Sequence, residues 1–330
     1  MPTAVSLFSG CGGSDAGVIS AGFDVIMAND IIPYARDVYL SNFPETEYLL
    51  EDVRSISSFP SADLLVGCYP CQGFSQGGAR EAGRNINKLY LEFARALRDI
   101  RPKAFIAENV SGMRRSTFRH LLDDQIKQFS EAGSGYNVKW ALLNAHEYGV
   151  AQERKRLVIV GLRKDIDAEY QFPVPIYGDE TGLPYLTIAD ALEGLPLWPE
   201  GEFCEDPFHW YYLSRNRRRG WADISKTIVS HMRHMPLHPV SPELVRIHTD
   251  KWEFSSDSPA RRFSFREAAR LQGFLKQYTS HGGDLYFPEE SASQRKNVKY
   301  NFLRQKYKVV GNAVPPPLFH AVAGSLVGLL

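Results

Sequence analysis

A chain of 330 residues, 44% of them hydrophobic and 23% charged, holds enough apolar material for a sizeable core and has the length of one large domain or two. No apolar run reaches membrane-spanning length, and the start "MPTAVSLFSGCGG" lacks a basic segment followed by a long apolar one, so a cytoplasmic protein that does not engage membranes is expected. Four cysteines, at 11, 68, 71 and 204, are too few and too unevenly spaced for a disulfide framework, which fits a reducing compartment.

Strand-like apolar runs lie at 4–8, 23–29, 63–68, 103–109, 138–144 and 157–162, and helix-compatible segments near 14–21, 33–42, 88–100 and 115–131. This alternation predicts an α/β fold with an open, mostly parallel sheet covered by helices. After about residue 172 the texture changes to scattered prolines, short segments and basic clusters, and a domain boundary is expected near 175–195. The last stretch, apolar again and without Lys, Arg, Asp or Glu after Lys308, is expected to pack back onto the first domain. There is no internal repeat and no low-complexity segment.

The formal net charge is zero, yet residues 207–308 hold 19 Lys and Arg against 9 Asp and Glu, leaving the rest of the chain acidic. The densest parts, "SRNRRRGW" and "QRKNVKYNFLRQKYK", interleave basic and aromatic residues. They read either as a polyanion-binding surface or as a solvated basic face.

The first strand runs into "FSGCGGSDAG", where Gly10, Gly12, Gly13 and Gly17 surround a turn into a helix that Ser14 or Asp15 could cap. Glycines there admit a nucleotide-like ligand close to the backbone. Asp30, at the end of the second strand, could bind a ribose hydroxyl, and Asp52 could accept from an adenine amine. Asp15 occupies the third glycine position of a dinucleotide fingerprint, and no G-K-[ST] is present for a triphosphate, so this is a poor dinucleotide site, and a glycine-rich turn with no ligand is the other reading.

"GCYPCQGFSQGGA" poses the chemical question, because two cysteines three apart could be a redox dithiol, half a metal site or one nucleophile with a bystander. A dithiol motif opens a helix in a small βαβ unit, whereas this one is continued by a glycine-rich loop, so the oxidoreductase reading is the remote one. His231, His234 and His238 have spacings that could suit zinc, but Pro236 interrupts the helix and no cysteine is near, so no metal is expected.

Taken together, "FSGCGG", "PC" at Pro70–Cys71, "AENV", "QERKR" at 152–156, "FSFREAARLQGF" at 263–274 and "GNAVP" at 311–315 make the chain resemble the DNA (cytosine-5)-methyltransferases, bacterial restriction–modification type, over nearly its whole length and in the family's order. The resemblance implies a Rossmann-like domain that uses S-adenosylmethionine, with a smaller target-recognition domain: 1–185 catalytic, 186–305 recognition, 306–330 returning to the catalytic domain. It implies Cys71 as the nucleophile that adds to carbon 6 of a flipped cytosine. Glu108 would hold ring nitrogen 3, and Arg154 and Arg156 would lie near the base's carbonyl oxygen. For the cofactor it implies Phe8, Gly10, Gly12, Gly13, Asp30, Asp52, Val53, Asn312 and Val314. The loop 73–88 would close over the base, and Ile31 stands where the family often has an aromatic residue.

Thr227 resembles part of a short recognition-domain motif, and Arg215, Arg217, Arg218, Arg219 and Arg233 are candidates for phosphate or base contacts. The expected partner is double-stranded DNA. The protein is expected to be a monomer, serving beside a cognate restriction endonuclease with which it forms no stable complex. A tRNA-modifying branch of the same family is the alternative, although its Cys-Phe-Thr signature is absent.

Overall fold

The computed structural model describes residues 1–70, 88–289 and 302–330. Strands β1 (Thr3–Leu7), β2 (Asp24–Asp30), β3 (Glu47–Leu50), β4 (Leu64–Gly67), β5 (Ala104–Val110), β6 (Tyr136–Asn144) and β7 (Lys155–Arg163) form one sheet in the order β3-β2-β1-β4-β5-β7-β6. The first five are parallel, and β7 runs antiparallel to both β5 and β6. The fold is therefore α/β with a mostly parallel sheet. Continuous apolar runs such as LLVG in β4 follow from burial on both faces, where alternation has no solvent side to serve. β3, absent from the sequence reading, is four residues at the sheet's edge, too short and too exposed to leave a pattern.

Helices α1 (Gly13–Ser20), α2 (Pro33–Asn42), α3 (Tyr90–Ile100) and α4 (Arg119–Ser130) connect or cover the strands. In α3 the spacing of Tyr90, Phe93, Ala94, Leu97 and Ile100 makes one apolar stripe. The helix stops where Arg101 turns left-handed (φ 52°) before Pro102. That stripe meets Phe105 of β5 and Phe129 of α4, with ring centroids 5.2 Å (Phe93–Phe129) and 5.5 Å (Phe105–Phe129) apart. Truncating any of these three buried rings to alanine costs about 3–5 kcal/mol.

The second half carries α5 (Ile188–Leu192), the hairpin β8 (Leu244–His248) and β9 (Lys251–Phe254), α6 (Phe265–Leu271), α7 (Phe302–Asn312) and α8 (Pro316–Val327). Both α5 and α6 begin with capping boxes, Thr187 with Asp190 and Ser264 with Glu267. Ile188, Phe263, Phe265, Leu271, Tyr307 and Val310 share one buried cluster with Tyr34, Ala35 and Val38 of α2. Val18 of α1 and Leu318, Phe319 and Val322 of α8 share another beneath the sheet.

One consequence of topology positions the site. Because β7 is reversed, its first residues lie beside the carboxyl ends of the parallel strands, with Arg156 opposite Val110 and Val158 opposite Glu108. Ligands of open α/β sheets bind at that edge.

Candidate active site

Phe8 (φ 59°), Gly10 (φ 56°) and Gly12 (φ 89°) bend the chain left-handed between β1 and α1. A non-glycine residue in that region stores strain, and Phe8 is held there at the mouth of the turn. The helix cap is Gly12, not Ser14 or Asp15. Asp15 is buried instead, accepting from Ser6 (2.6 Å), Ser14 (2.8 Å) and Tyr39 (2.8 Å). Burial raises its pKa, and those hydroxyls oppose the rise.

Asp30 ends β2 and accepts three backbone N–H groups: Gly10 on Oδ2 (3.0 Å), Ile31 (2.7 Å) and Ile32 (3.0 Å) on Oδ1. Of a carboxylate's roughly four acceptor positions, one on Oδ2 remains. Burial raises its pKa and the three N–H groups lower it. Asp52 follows β3, where Arg54 grips it through Nε (2.9 Å) and Nη2 (2.5 Å) and lowers its pKa to about 2. Val53 beside it is buried. Gly13 abuts the turn after α7. A Cβ on Gly13 would lie 2.2 Å from the Val314 carbonyl oxygen, so only glycine lets the two backbones touch. Asn312 exposes its side chain there.

On the other side of β1, Glu108 is 8% exposed, and its Oε1 lies 2.6 Å from Arg156 Nε. Burial raises the Glu108 pKa, while the charges of Arg156 and then Arg154 oppose the rise. Arg154 has a different placement from Arg156. It is 3% exposed, with Nη1 donating to Ile228 O (3.0 Å) and Nη2 to Gly311 O (3.2 Å) and Ala313 O (2.8 Å). Its guanidinium ties β7's approach to residue 228 and to the turn after α7. Among the described residues, two buried donors here have no hydrogen-bond partner, Arg154 Nε and Asn109 Nδ2.

Sequence reasoning assigned no role to Gln152 and Gln272, although both lie within quoted motifs. Gln152 is wholly buried, donates to Leu271 O (2.9 Å) and Gln272 Oε1 (2.5 Å), and accepts from Ile228 N (3.0 Å). Gln272 passes the link to Val310 O (2.8 Å) and Ala313 O (3.1 Å). These two amides join β7, α6, α7 and residue 228 into one frame. Cys68, at the end of β4, has its thiol pushed well above the ordinary value by burial and then by Glu108. It is a poor nucleophile at neutral pH. Cys71 and the loop 73–88 lie outside the described residues, apart from Lys88.

The candidate DNA-facing residues fall into two groups. Arg218 is anchored by Ser241 O (2.8 Å) and Pro239 O (3.0 Å), and Arg217 by Tyr212 O (3.1 Å) and the Tyr212 ring. Arg233 pairs with Asp206 (2.6 Å). Arg215 is exposed and has no hydrogen bond or ion pair among the described residues. Arg219 stands 3.7 Å and Lys226 3.0 Å from Glu153, while Thr227 donates its hydroxyl to Glu153 O. Part of the basic count is internal. Arg261 forms a bidentate pair with Glu267 (2.7 Å each), and Arg262 donates to Cys204 O and Asp206 O beneath the Phe208 ring. The three histidines do not converge: His231 and His234 stack at 4.7 Å, while His238 is buried against Trp221 and Phe263.

Comparison with known proteins settles the family. The family of C-5 cytosine-specific DNA methylases matches over residues 3–328. The chain belongs to this family. It is 36% identical to the Type II methyltransferase M.BsuRI of Bacillus subtilis, over 98% of this chain and 78% of that one. It is 37% identical to M.BspRI of Lysinibacillus sphaericus, over 98% and 80%. Among solved structures, S. pombe Dnmt2 superposes with a TM-score of 0.68 at 18% identity, covering 99% of each chain. The Entamoeba histolytica methyltransferase EhMeth does so with 0.66 at 16% identity, covering 99% and 98%. These last two likenesses speak for the fold alone.

The substrate of this methylase is DNA and its methyl donor is S-adenosylmethionine. The turn fits that donor. A Cβ on Gly10 would meet nothing within 4 Å, so the backbone is open to a ligand, and the spare acceptor on Asp30 suits one ribose hydroxyl. Among the described residues, no helix is long and apolar enough to cross a membrane.

Proposed function

We propose that this methylase modifies carbon 5 of one cytosine inside a short duplex sequence and so protects DNA from a cognate restriction endonuclease. The observation that carries the reading is the Glu108–Arg156 pair at 2.6 Å, buried at the carboxyl edge of the sheet, next to the strand that leads into Cys71. S-adenosylmethionine, when bound, supplies the methyl group as an electrophile. The chain's residues must make a poor carbon nucleophile reactive. Cys71 adds through sulfur to carbon 6 of the flipped base. Glu108, whose pKa burial raises, donates in its protonated form to ring nitrogen 3 and so accommodates the electrons pushed into the ring. Arg156 orients Glu108 from one side and presents its remaining donors towards the base's oxygen. Arg154 acts one step back, holding the frame to which Arg156 and the cofactor wall are attached. Loss of the carbon-5 proton and departure of Cys71 restore the enzyme.

Phe8, Gly10, Gly12, Gly13, Asp30, Asp52, Val53, Asn312 and Val314 line the donor site in this reading. The catalytic part spans 1–185 and 306–330, with 186–305 as the recognition part. Within the latter, Arg215, Arg219 and Thr227 face DNA. Arg217, Arg218 and Arg233 shape the surface that presents them. The protein acts as a cytoplasmic monomer without a stable endonuclease complex. Transfer of labelled methyl groups to unmethylated genomic DNA, with total tRNA in parallel and bisulfite sequencing of the product, tests the reading. One short methylated DNA motif is expected, and label in tRNA alone would refute it.

A further inference from the structure

We propose that the turn following the Glu108 strand is a second phosphate-binding surface for duplex DNA, formed by Arg114 and Arg115 on the catalytic half of the methylase. The proposal rests on DNA being the substrate and adds a contact outside the basic 207–308 segment. β5 ends at Val110, and the chain passes directly into a 3-10 turn, Ser111–Arg114, at the edge of the sheet where Glu108 sits. Met113 is wholly buried and pins the turn, while Arg114 and Arg115 are exposed.

Residues 111–120 contain three arginines and one histidine and no acid. The nearest acids on α4 are already engaged, Asp123 with Arg119 (3.0 Å) and Asp124 with the Tyr90 hydroxyl. Arg114 and Arg115 have no ion pair and no side-chain hydrogen bond among the described residues. The Arg114 and Arg119 guanidiniums stand 5.7 and 5.5 Å from the centroid of the Trp140 ring, which restricts their stems and leaves charge facing solvent.

Exposed guanidiniums with no acidic partner among the described residues, on the turn that follows the Glu108 strand, match the phosphates flanking an extruded base. The recognition segment instead reaches the site through Ser225 and Ile228 at the approach to β7. Two basic surfaces on different elements would hold the backbone at two places while a single nucleotide is extruded.

The test compares full-length wild type, Arg114→Gln/Arg115→Gln and Arg114→Lys/Arg115→Lys for binding to a fluorescent random-sequence duplex across a salt series, and for methyl transfer to genomic DNA. The glutamine pair should lower the slope of log affinity against log salt by about 1.8, weaken binding by about tenfold or more near 0.1 M salt, and raise KM for DNA far more than it changes kcat. Melting temperature and S-adenosylmethionine affinity should stay at wild-type values, and the lysine pair should restore the salt slope. An unchanged slope in the glutamine pair, or a lysine pair as impaired as the glutamine pair, overturns the proposal while leaving the DNA reading intact. Wild type that transfers no methyl to DNA overturns both.

Discussion

Arg154→Ala separates a structural from a catalytic role for the first arginine of "QERKR". The substitution removes three hydrogen bonds from a charged donor to Ile228, Gly311 and Ala313 at 2.8–3.2 Å, and leaves those carbonyls to find other partners. At about 1.5 kcal/mol each the loss is roughly 4–5 kcal/mol. Relief of a charge held at 3% exposure offsets part of it, for a net destabilisation of about 3 kcal/mol. A chain of 330 residues has an unfolding entropy of about 0.7 kcal/mol/K, so the melting midpoint should fall by ~4 °C. S-adenosylmethionine affinity should fall with it, because the wall turn at residues 311–314 is no longer tied. Arg154→Lys should recover part of both, since one ammonium reaches fewer of the three oxygens. The assays are thermal unfolding by circular dichroism and calorimetric titration with the donor. Wild-type melting and wild-type donor affinity together with a collapsed kcat would refute the reasoning and place Arg154 on the base itself.

The remaining predictions follow from single contacts. Gly13→Ala puts a methyl 2.2 Å from the Val314 oxygen, so donor affinity should drop by about tenfold or more; a titration at wild-type affinity would count against the close approach. Glu108 has a raised pKa, so its protonated form, and with it methyl transfer, is lost as pH rises through the folded value. Arg156→Met removes the larger opposing charge and should move that limb of the kcat profile to higher pH, while a shift to lower pH would contradict the assignment. Burial and then the Arg261 charge lower the His238 pKa from 6.5 to about 3, so the unfolded chain takes up a proton that the fold refuses. Stability from this group is therefore present above pH 6.5 and lost below it, at up to about 1.4 kcal/mol per pH unit. The fall in melting temperature between pH 7 and 5 should be shallower in His238→Leu, and an unchanged slope would refute it.

Most of the scaffold was legible because its forces are local. Apolar runs bounded by turns marked six of the seven strands of the large sheet, and helix-compatible segments marked the helices of the first half. Glycines at a strand-to-helix turn marked a place where backbone must stay bare. Even the internal cap was misread in an informative way. Asp15 has the sequence signature of a capping acid, yet Gly12 already occupies the cap position, and the carboxylate turns inward to three hydroxyls.

The basic segment shows the limit of counting. Arg215 and Arg262 are the same letter, one solvated and one enclosed beneath Phe208, and charge per residue cannot tell them apart. Sequence alone thus determined the α/β class, the family and the donor, because these depend on residue type and on spacing along one chain. Only the tertiary structure separated Arg154 from Arg156. Two residues apart on a strand they would share a face, but β7 begins at Lys155, and the irregular approach before it turns Arg154 into the frame while Arg156 reaches Glu108. That divergence depends on where segments 228 and 311–313, far away in sequence, bring their carbonyls, and no local pattern encodes it.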